Sequence, residues 1–169
     1  MVLGPCGAGK STLARRLGAA LHLPVLHMDQ FTWSAGWVMA PPEDRRAALE
    51  RAVRGERWVL DGNTHSACVY DAADTVVFLD LPRSTCIGRI VRRIVTTYGR
   101  VRPDMAPGCP EKIDWEFLRY VWDYPVHRRP VVLDSIRRYA SGNGKRLVTL
   151  RRPVEVERFV REVERTWQR

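Results

Sequence analysis

The nine residues Gly4-Pro5-Cys6-Gly7-Ala8-Gly9-Lys10-Ser11-Thr12 carry the spacing G-x-x-x-x-G-K-[ST]. No other segment constrains this chain as tightly. Glycines at these places let backbone N–H groups converge on phosphate oxygens. The lysine brings a mobile charge to the terminal phosphates, and the serine hydroxyl suits Mg²⁺. Met1-Val2-Leu3 is apolar and strand-like, and Ser11 to Leu21 reads as a helix with Leu13, Leu17, Ala20 and Leu21 on one face. The bland alternative is an accidental glycine-rich turn, and the strand–loop–helix context argues against it. Only three residues precede Gly4, where a buried first strand normally needs about five. The sequence therefore predicts a natural start upstream of Met1, with a tolerated short strand as the alternative.

At 169 residues, one domain spanning 1–169 is expected. Hydrophobic content of 45% with 28% charged residues is ordinary for a soluble globular chain. No apolar run approaches the ~20 residues of a membrane span, and no signal peptide precedes the glycine-rich loop, so a cytoplasmic location is expected. Cys6, Cys68, Cys86 and Cys109 form neither a CxxC pair nor a zinc spacing and read as reduced thiols. The net charge of +9 is almost wholly arginine, the lysines being Lys10, Lys112 and Lys145. Arginine binds phosphate through a planar fork. Such a charge suits nucleic acid, or ATP with a phosphorylated or acidic substrate. A GC-rich coding sequence would give the same bias, and nucleic acid is not favoured as the main partner.

Strand and helix alternate along the chain, which predicts a parallel α/β sheet. Leu23 to Met28 reads as a second strand ending at Asp29, followed by an aromatic loop from Gln30 to Pro42 and a helix from about Pro42 to Arg54. Arg57 to Asp61 is the third strand and Thr75 to Asp80, continuous and apolar, the fourth. The helix from about Ser84 to Thr96 shows a stripe of Ile87, Ile90, Val91, Ile94 and Val95. Tyr98 to Pro110 is irregular, Ile113 to Tyr124 an aromatic-rich helix, and Val131 to Ala140 another helix. Ser141 to Gly144 is a turn, Arg146 to Leu150 the fifth strand, and Val154 to Trp167 the last helix, with Val156, Phe159, Val160 and Val163 on its apolar face.

Ligands of parallel sheets sit at the carboxyl ends of the strands, which selects Asp29, Asp61 and Asp80. Asp61 follows an apolar strand, where a Mg²⁺-orienting aspartate belongs; a turn-forming Asp-Gly-Asn is the alternative. Asp29 is placed to accept a proton from an acceptor hydroxyl or to hold it, against a solvated or capping carboxylate. Asp80, before Leu81-Pro82, reads as structural. Arg89, Arg92 and Arg93 repel one another on one helix face, a strain that a polyanion would relieve and a solvated basic face would not need relieved. Arg128 and Arg129 are weaker phosphate-clamp candidates. Cys6 reads as a small loop residue, with a reactive thiolate as the alternative. His22, His27, His65 and His127 show no metal-like spacing. The aromatics between Trp115 and Tyr124 mostly read as packing, with a base or a second subunit as other occupants.

Val59-Leu60-Asp61-Gly62 resembles the Asp-Gly turn of adenylate kinases and related nucleoside monophosphate kinases. Val77 to Pro82, followed by Arg89-Ile90-Val91-Arg92-Arg93, is similar to their fourth strand and the helix leading to the lid. Trp58 to Asn63 and Arg102 to Lys112 resemble most the DNA topology modulation (FlaR-related) group. The resemblance implies a P-loop NTPase three-layer sandwich, with five parallel strands in the order 2-3-1-4-5 and a helical lid at about 94–130. It implies ATP and Mg²⁺ as cofactors, Arg89 beside the adenine, Arg93 on phosphate, and Arg152 in an adenine-binding loop. Asn63-Thr64 stands where adenylate kinases carry Phe-Pro-Arg, which argues against AMP as acceptor.

The expectation is an ATP-dependent kinase for a small molecule, nucleosides and nucleotides among the candidates. Lys10, Asp29, Asp61, Arg89 and Arg93 carry the chemistry. Gly4, Pro5, Cys6, Gly7, Ala8, Gly9, Lys10, Ser11, Thr12, Arg89 and Arg152 bind the nucleotide, and Ser11 and Asp61 bind the metal. The alternative is a nucleic-acid-associated ATPase or a polynucleotide end kinase. A monomer or homodimer without membrane contact fits either.

Overall fold

Five short apolar runs pair side by side in a computed structural model that describes residues 1–64, 66–140 and 144–167. They are β1 (Val2–Leu3), β2 (Val25–His27), β5 (Val59–Asp61), β6 (Thr75–Leu79) and β7 (Arg146–Leu150). All pairings are parallel, in the order β2-β5-β1-β6-β7. Counted along the chain among these five strands alone, that order is 2-3-1-4-5, as expected, and the labels run higher only because two further strands intervene. Two strands absent from the sequence reading, β3 (Trp33–Ser34) and β4 (Val38–Met39), form a separate antiparallel hairpin between the second and third strands of the sheet.

Side chains alternate across the sheet with period two, and the core divides accordingly. Val2, Val77 and Leu79 pack with Leu13 and Leu17 of α1 (Lys10–Leu21), Ile90 of α5 (Arg83–Thr97) and Val160 of α8 (Pro153–Trp167). Leu3, Leu60 and Phe78 pack with Leu49 of α3 (Pro42–Ala52), Val69 of α4 (Ala67–Ala72) and Ile136 of α7 (Arg129–Ala140). The result is a sheet between two helical layers. Each fully buried side chain such as Phe78 or Leu79 contributes about 1.5–3 kcal/mol.

Several expectations need correction. β2 stops at His27, and Met28–Thr32 forms a short helix, α2, so Asp29 lies in a helical first turn and does not end a strand. The Gln30–Pro42 loop is occupied by the end of α2, the hairpin and a single 3₁₀ turn at Ala35–Trp37. α4 was not expected. The buried stripe of α5 is Cys86, Ile90 and Ile94, whereas Val91 and Val95 are 48% and 76% exposed. Ile87 packs partly buried beside that stripe, while Val91 and Val95 face solvent. α6 (Trp115–His127) starts on Asp114, whose side chain accepts from the Phe117 N–H at 2.9 Å. Arg129 donates twice to Asp80, both at 2.7 Å, and is a fold clamp rather than a free phosphate ligand. His65 and residues 141–143 of the expected turn lie outside the described residues. Among the described residues no helix is long and apolar enough to cross a membrane.

Candidate functional site

The carboxyl ends of the strands open on a cleft of about 1460 Å³. Its floor is the loop from β1 to α1. Gly4, Gly7 and Gly9 have φ of +146°, +79° and +95°, which L side chains rarely adopt. A Cβ on Gly4 would lie 2.5 Å from the Leu79 carbonyl oxygen, and one on Gly7 would lie 2.3 Å from that of Cys86. The loop is thus wedged against β6 and α5. Asn63 holds it from the other side: the Gly4 N–H donates to Asn63 Oδ1, and Asn63 Nδ2 donates to the Gly4 carbonyl, both at 3.0 Å. Gly9 caps α1 with no side-chain partner and no acidic residue in the first turn. The orphan N–H groups and the positive end of the helix dipole are therefore uncancelled. Lys10 Nζ donates to the Pro5 carbonyl at 3.1 Å and Arg89 Nη1 to that of Ala8 at 2.8 Å, so both cations rest on the loop itself. Burial pushes the Cys86 thiol beneath the loop up to about 11.

His27 and Asp61 are register partners across β2 and β5, so their side chains leave the sheet on one face. His27 Nδ1–H donates to Asp61 Oδ1 at 2.6 Å, and both residues are buried. That hydrogen bond outweighs the desolvation of the ring and raises the His27 pKa. Asp29 lines the same cleft. Solvent reaches it, yet the surrounding protein desolvates its carboxylate and raises its pKa, against the opposing pull of Lys10 and Arg102.

The segment after α5 roofs the cleft. Gly36 N–H donates to the Gly108 carbonyl at 2.8 Å, Trp37 Nε1 to Pro110 at 3.0 Å, and Gln30 Nε2 to Pro103 at 3.0 Å. Met105, Ala106 and Cys109 form a small apolar core with Trp33 and Trp37 of the hairpin. Beneath it runs a chain of buried charge. Arg93 and Arg102 share Glu111, at 3.0 and 3.1 Å; Arg102 also reaches Asp104 at 2.6 Å, and Arg15 of α1 reaches Asp104 at 3.5 Å. Burial alone would raise the Asp104 carboxyl. Arg102, a backbone amide, the Ser11 hydroxyl and Arg15 together bring it below the ordinary carboxylate range.

No family model matches the chain, and no curated protein matches it by sequence. A similar solved structure is that of an unliganded sugar kinase from Janibacter sp. HTCC2649, 17% identical, covering 99% of this chain and 91% of that chain with a TM-score of 0.48. That likeness is too slight to assign an activity.

Of the residues singled out in the sequence, Cys6, Gly7, Gly9, Lys10, Ser11, Thr12, Asp29, Asp61, Arg89 and Arg93 all line the cleft, while Gly4, Pro5 and Ala8 are buried in the loop behind it. Arg152 does not line it; its Nε pairs with Glu155 at 2.7 Å. Arg92 is exposed outside it, and Arg128 stacks over Tyr120. His27, Asn63, Arg45, Arg102, Asp104 and Glu111 were not given roles. Charged residues inside the proline-rich Arg102–Lys112 stretch were the available signal for three of them. His27 lacked metal spacing, but its place two residues before Asp29 at a strand end was informative.

Proposed function

We propose that this chain is an ATP-dependent phosphotransferase acting on a small-molecule acceptor, nucleosides and nucleotides among the candidates. The observation that carries this reading is the anion nest whose two cations, Lys10 and Arg89, rest on loop carbonyls rather than on carboxylates. It opens on a cleft of about 1460 Å³, beyond the roughly 300–1,000 Å³ usual for a single ligand.

In this reading the loop amides and Lys10 grip the terminal phosphates, and Arg89 shifts from Ala8 to the nucleotide. Ser11 and Asp61 are the residues that would hold Mg²⁺. The donor set fits: His27 takes one oxygen of Asp61, none of the described residues hydrogen-bonds the other, and Ser11 adds a hydroxyl. Among the described residues no group of three or more His, Cys, Asp or Glu could hold a metal ion. Mg²⁺ is usually bound by one or two carboxylates together with substrate phosphates and water. When bound, Mg²⁺ neutralises charge across the phosphates. Asp29 accepts the proton of the acceptor hydroxyl, its raised pKa making it a better base than an ordinary carboxylate. Arg93 and Arg102 stabilise charge on the group in transit. Residues 94–130 act as a lid that excludes water and so suppresses hydrolysis.

The test is ATP consumption against a panel of sugars, sugar acids, nucleosides, nucleotides and oligonucleotides. Lys10→Ala should lower acceptor-dependent turnover by about 10²–10³-fold or more while its melting curve stays that of the wild type. Full turnover in that variant would remove the loop from the mechanism.

A further inference from the structure

Asp61 ends the strand that lies between β1 and β2, and both neighbours hold its backbone. It is the register partner of Val2 on one side and of His27 on the other. The next residue is pinned as well. The Gly62 N–H donates to the Val2 carbonyl at 3.1 Å, and a Cβ on Gly62 would lie 2.3 Å from that of Met28. What the backbone leaves free is rotation of the Asp61 carboxylate about its own side-chain bonds. His27 takes that freedom away with its 2.6 Å hydrogen bond. A turn-forming Asp-Gly-Asn would instead bond the Asp61 carboxylate to the Asn63 N–H, and among the described residues its hydrogen bond is the one from His27. His27 precedes α2 without capping it by its side chain, and it does not line the cleft, whereas Asp61 does.

We infer that His27 is a positioning residue for the divalent cation: from behind Asp61 it holds one carboxylate oxygen and so presents the other to the cation that accompanies the nucleotide. This rests on the phosphotransferase reading above. The ring touches neither cation nor phosphate in this role, and its effect passes through Asp61. A carboxylate that must stop rotating before it binds a cation loses affinity to that ordering. A partner that has already ordered it removes the loss. Hydrogen-bonded neighbours of metal ligands are generally worth about 10–100-fold in metal affinity.

The test is calorimetry of a non-hydrolysable ATP analogue, with Mg²⁺ and with EDTA, on wild type, His27→Phe, His27→Asn and Asp61→Asn. Asn sets an amide N–H where Nδ1 stands, and Phe keeps a ring without a donor. Mg²⁺ should tighten the analogue on wild type. His27→Phe should lose about tenfold or more of that gain and His27→Asn should recover most of it, with the affinity in EDTA the same in all. Because His27 acts through Asp61, adding His27→Phe to Asp61→Asn should cost nothing further. Should His27→Phe not fold, His27→Gln, whose amide stands at the Nε2 position, takes its place. A wild-type gain in His27→Phe, whatever its stability, would show a ring that only satisfies a buried carboxylate, and it overturns the inference. Equal losses in His27→Phe and His27→Asn, a matching loss in EDTA, or additive losses in the double variant overturn it as well. Wild-type binding that ignores Mg²⁺ overturns it and leaves the nucleotide site in place. No analogue binding at all by wild type removes the phosphotransferase reading, and the role of His27 with it.

Discussion

Gly7 and Gly36 have nearly the same backbone, with φ of +79° and +77°, but different surroundings. At Gly7 a Cβ would lie 2.3 Å from a backbone oxygen of α5, while at Gly36, in the hairpin, it would meet nothing within 4 Å. The phosphate end of the cleft is shaped by main chain pressed on main chain and by one asparagine clasp. The roofed end is shaped by side chains: a tryptophan pair, a few long-range hydrogen bonds and a buried charge chain. The first arrangement is set by tight contacts of backbone with backbone. The second can be rebuilt by exchanging partners, because each arginine there is held by a carboxylate that an incoming anion can replace.

The largest predicted contrast follows directly. Gly7→Ala adds a backbone clash to the left-handed strain and should cost about 3 kcal/mol in all. It should also abolish detectable nucleotide binding. Gly36→Ala carries the strain alone and should cost about 1 kcal/mol, with nucleotide affinity unchanged. Urea unfolding and nucleotide titration of both variants measure this. Equal losses would mean that the two ends are not built differently.

A smaller effect is expected at the roof. Glu111 is 5% exposed and shared by Arg93 and Arg102, whose side chains keep 24% and 18% of their exposure. Glu111→Gln keeps the volume and removes the charge. It should cost about 2 kcal/mol, below the ~3–5 of a fully buried pair, because both arginines still reach water. Added salt should restore little of it, since a buried pair is weakly screened. Full recovery at 1 M salt would show the network to be a surface feature.

The same division decides what could be read from the sequence. The phosphate loop is local: its glycines, lysine and flanking helix are adjacent in the chain, and pattern alone finds them. Thr75–Leu79 is a run of apolar residues, and burial on both faces is visible in it. The roof is not local. Arg15 meets Asp104 across 89 positions, and Gln30 meets Pro103 across 73. No period or motif encodes such a partnership, so nothing in the stretch that holds Arg102, Asp104 and Glu111 pointed to Arg15 of α1 or Arg93 of α5 as their partners. Trp33 and Trp37 looked like loop aromatics because their packing partners, Met105 and Cys109, lie far along the chain. Val91 and Val95 failed for a related reason: helical spacing shows a stripe but not how wide a neighbour covers it.

The smallest predicted effect lies where the two ends meet. Asp29 has its pKa raised, with desolvation as the first cause. Its folded form therefore holds a proton that the unfolded chain has already released. Between the ordinary carboxylate pKa and the raised one, stability falls as pH rises, and above both the penalty is complete. Asp29→Asn removes it. The variant should melt above the wild type at pH 7, and the difference should shrink to nothing as pH falls below the ordinary carboxylate range. Turnover should move the other way, falling in kcat with little change in the KM for ATP, because Asn accepts no proton. A variant that loses ATP affinity instead would move Asp29 from the acceptor side to the nucleotide side. A variant that is less stable than the wild type at pH 7 would show that Lys10 and Arg102 hold the ionised carboxylate more firmly than burial disfavours it.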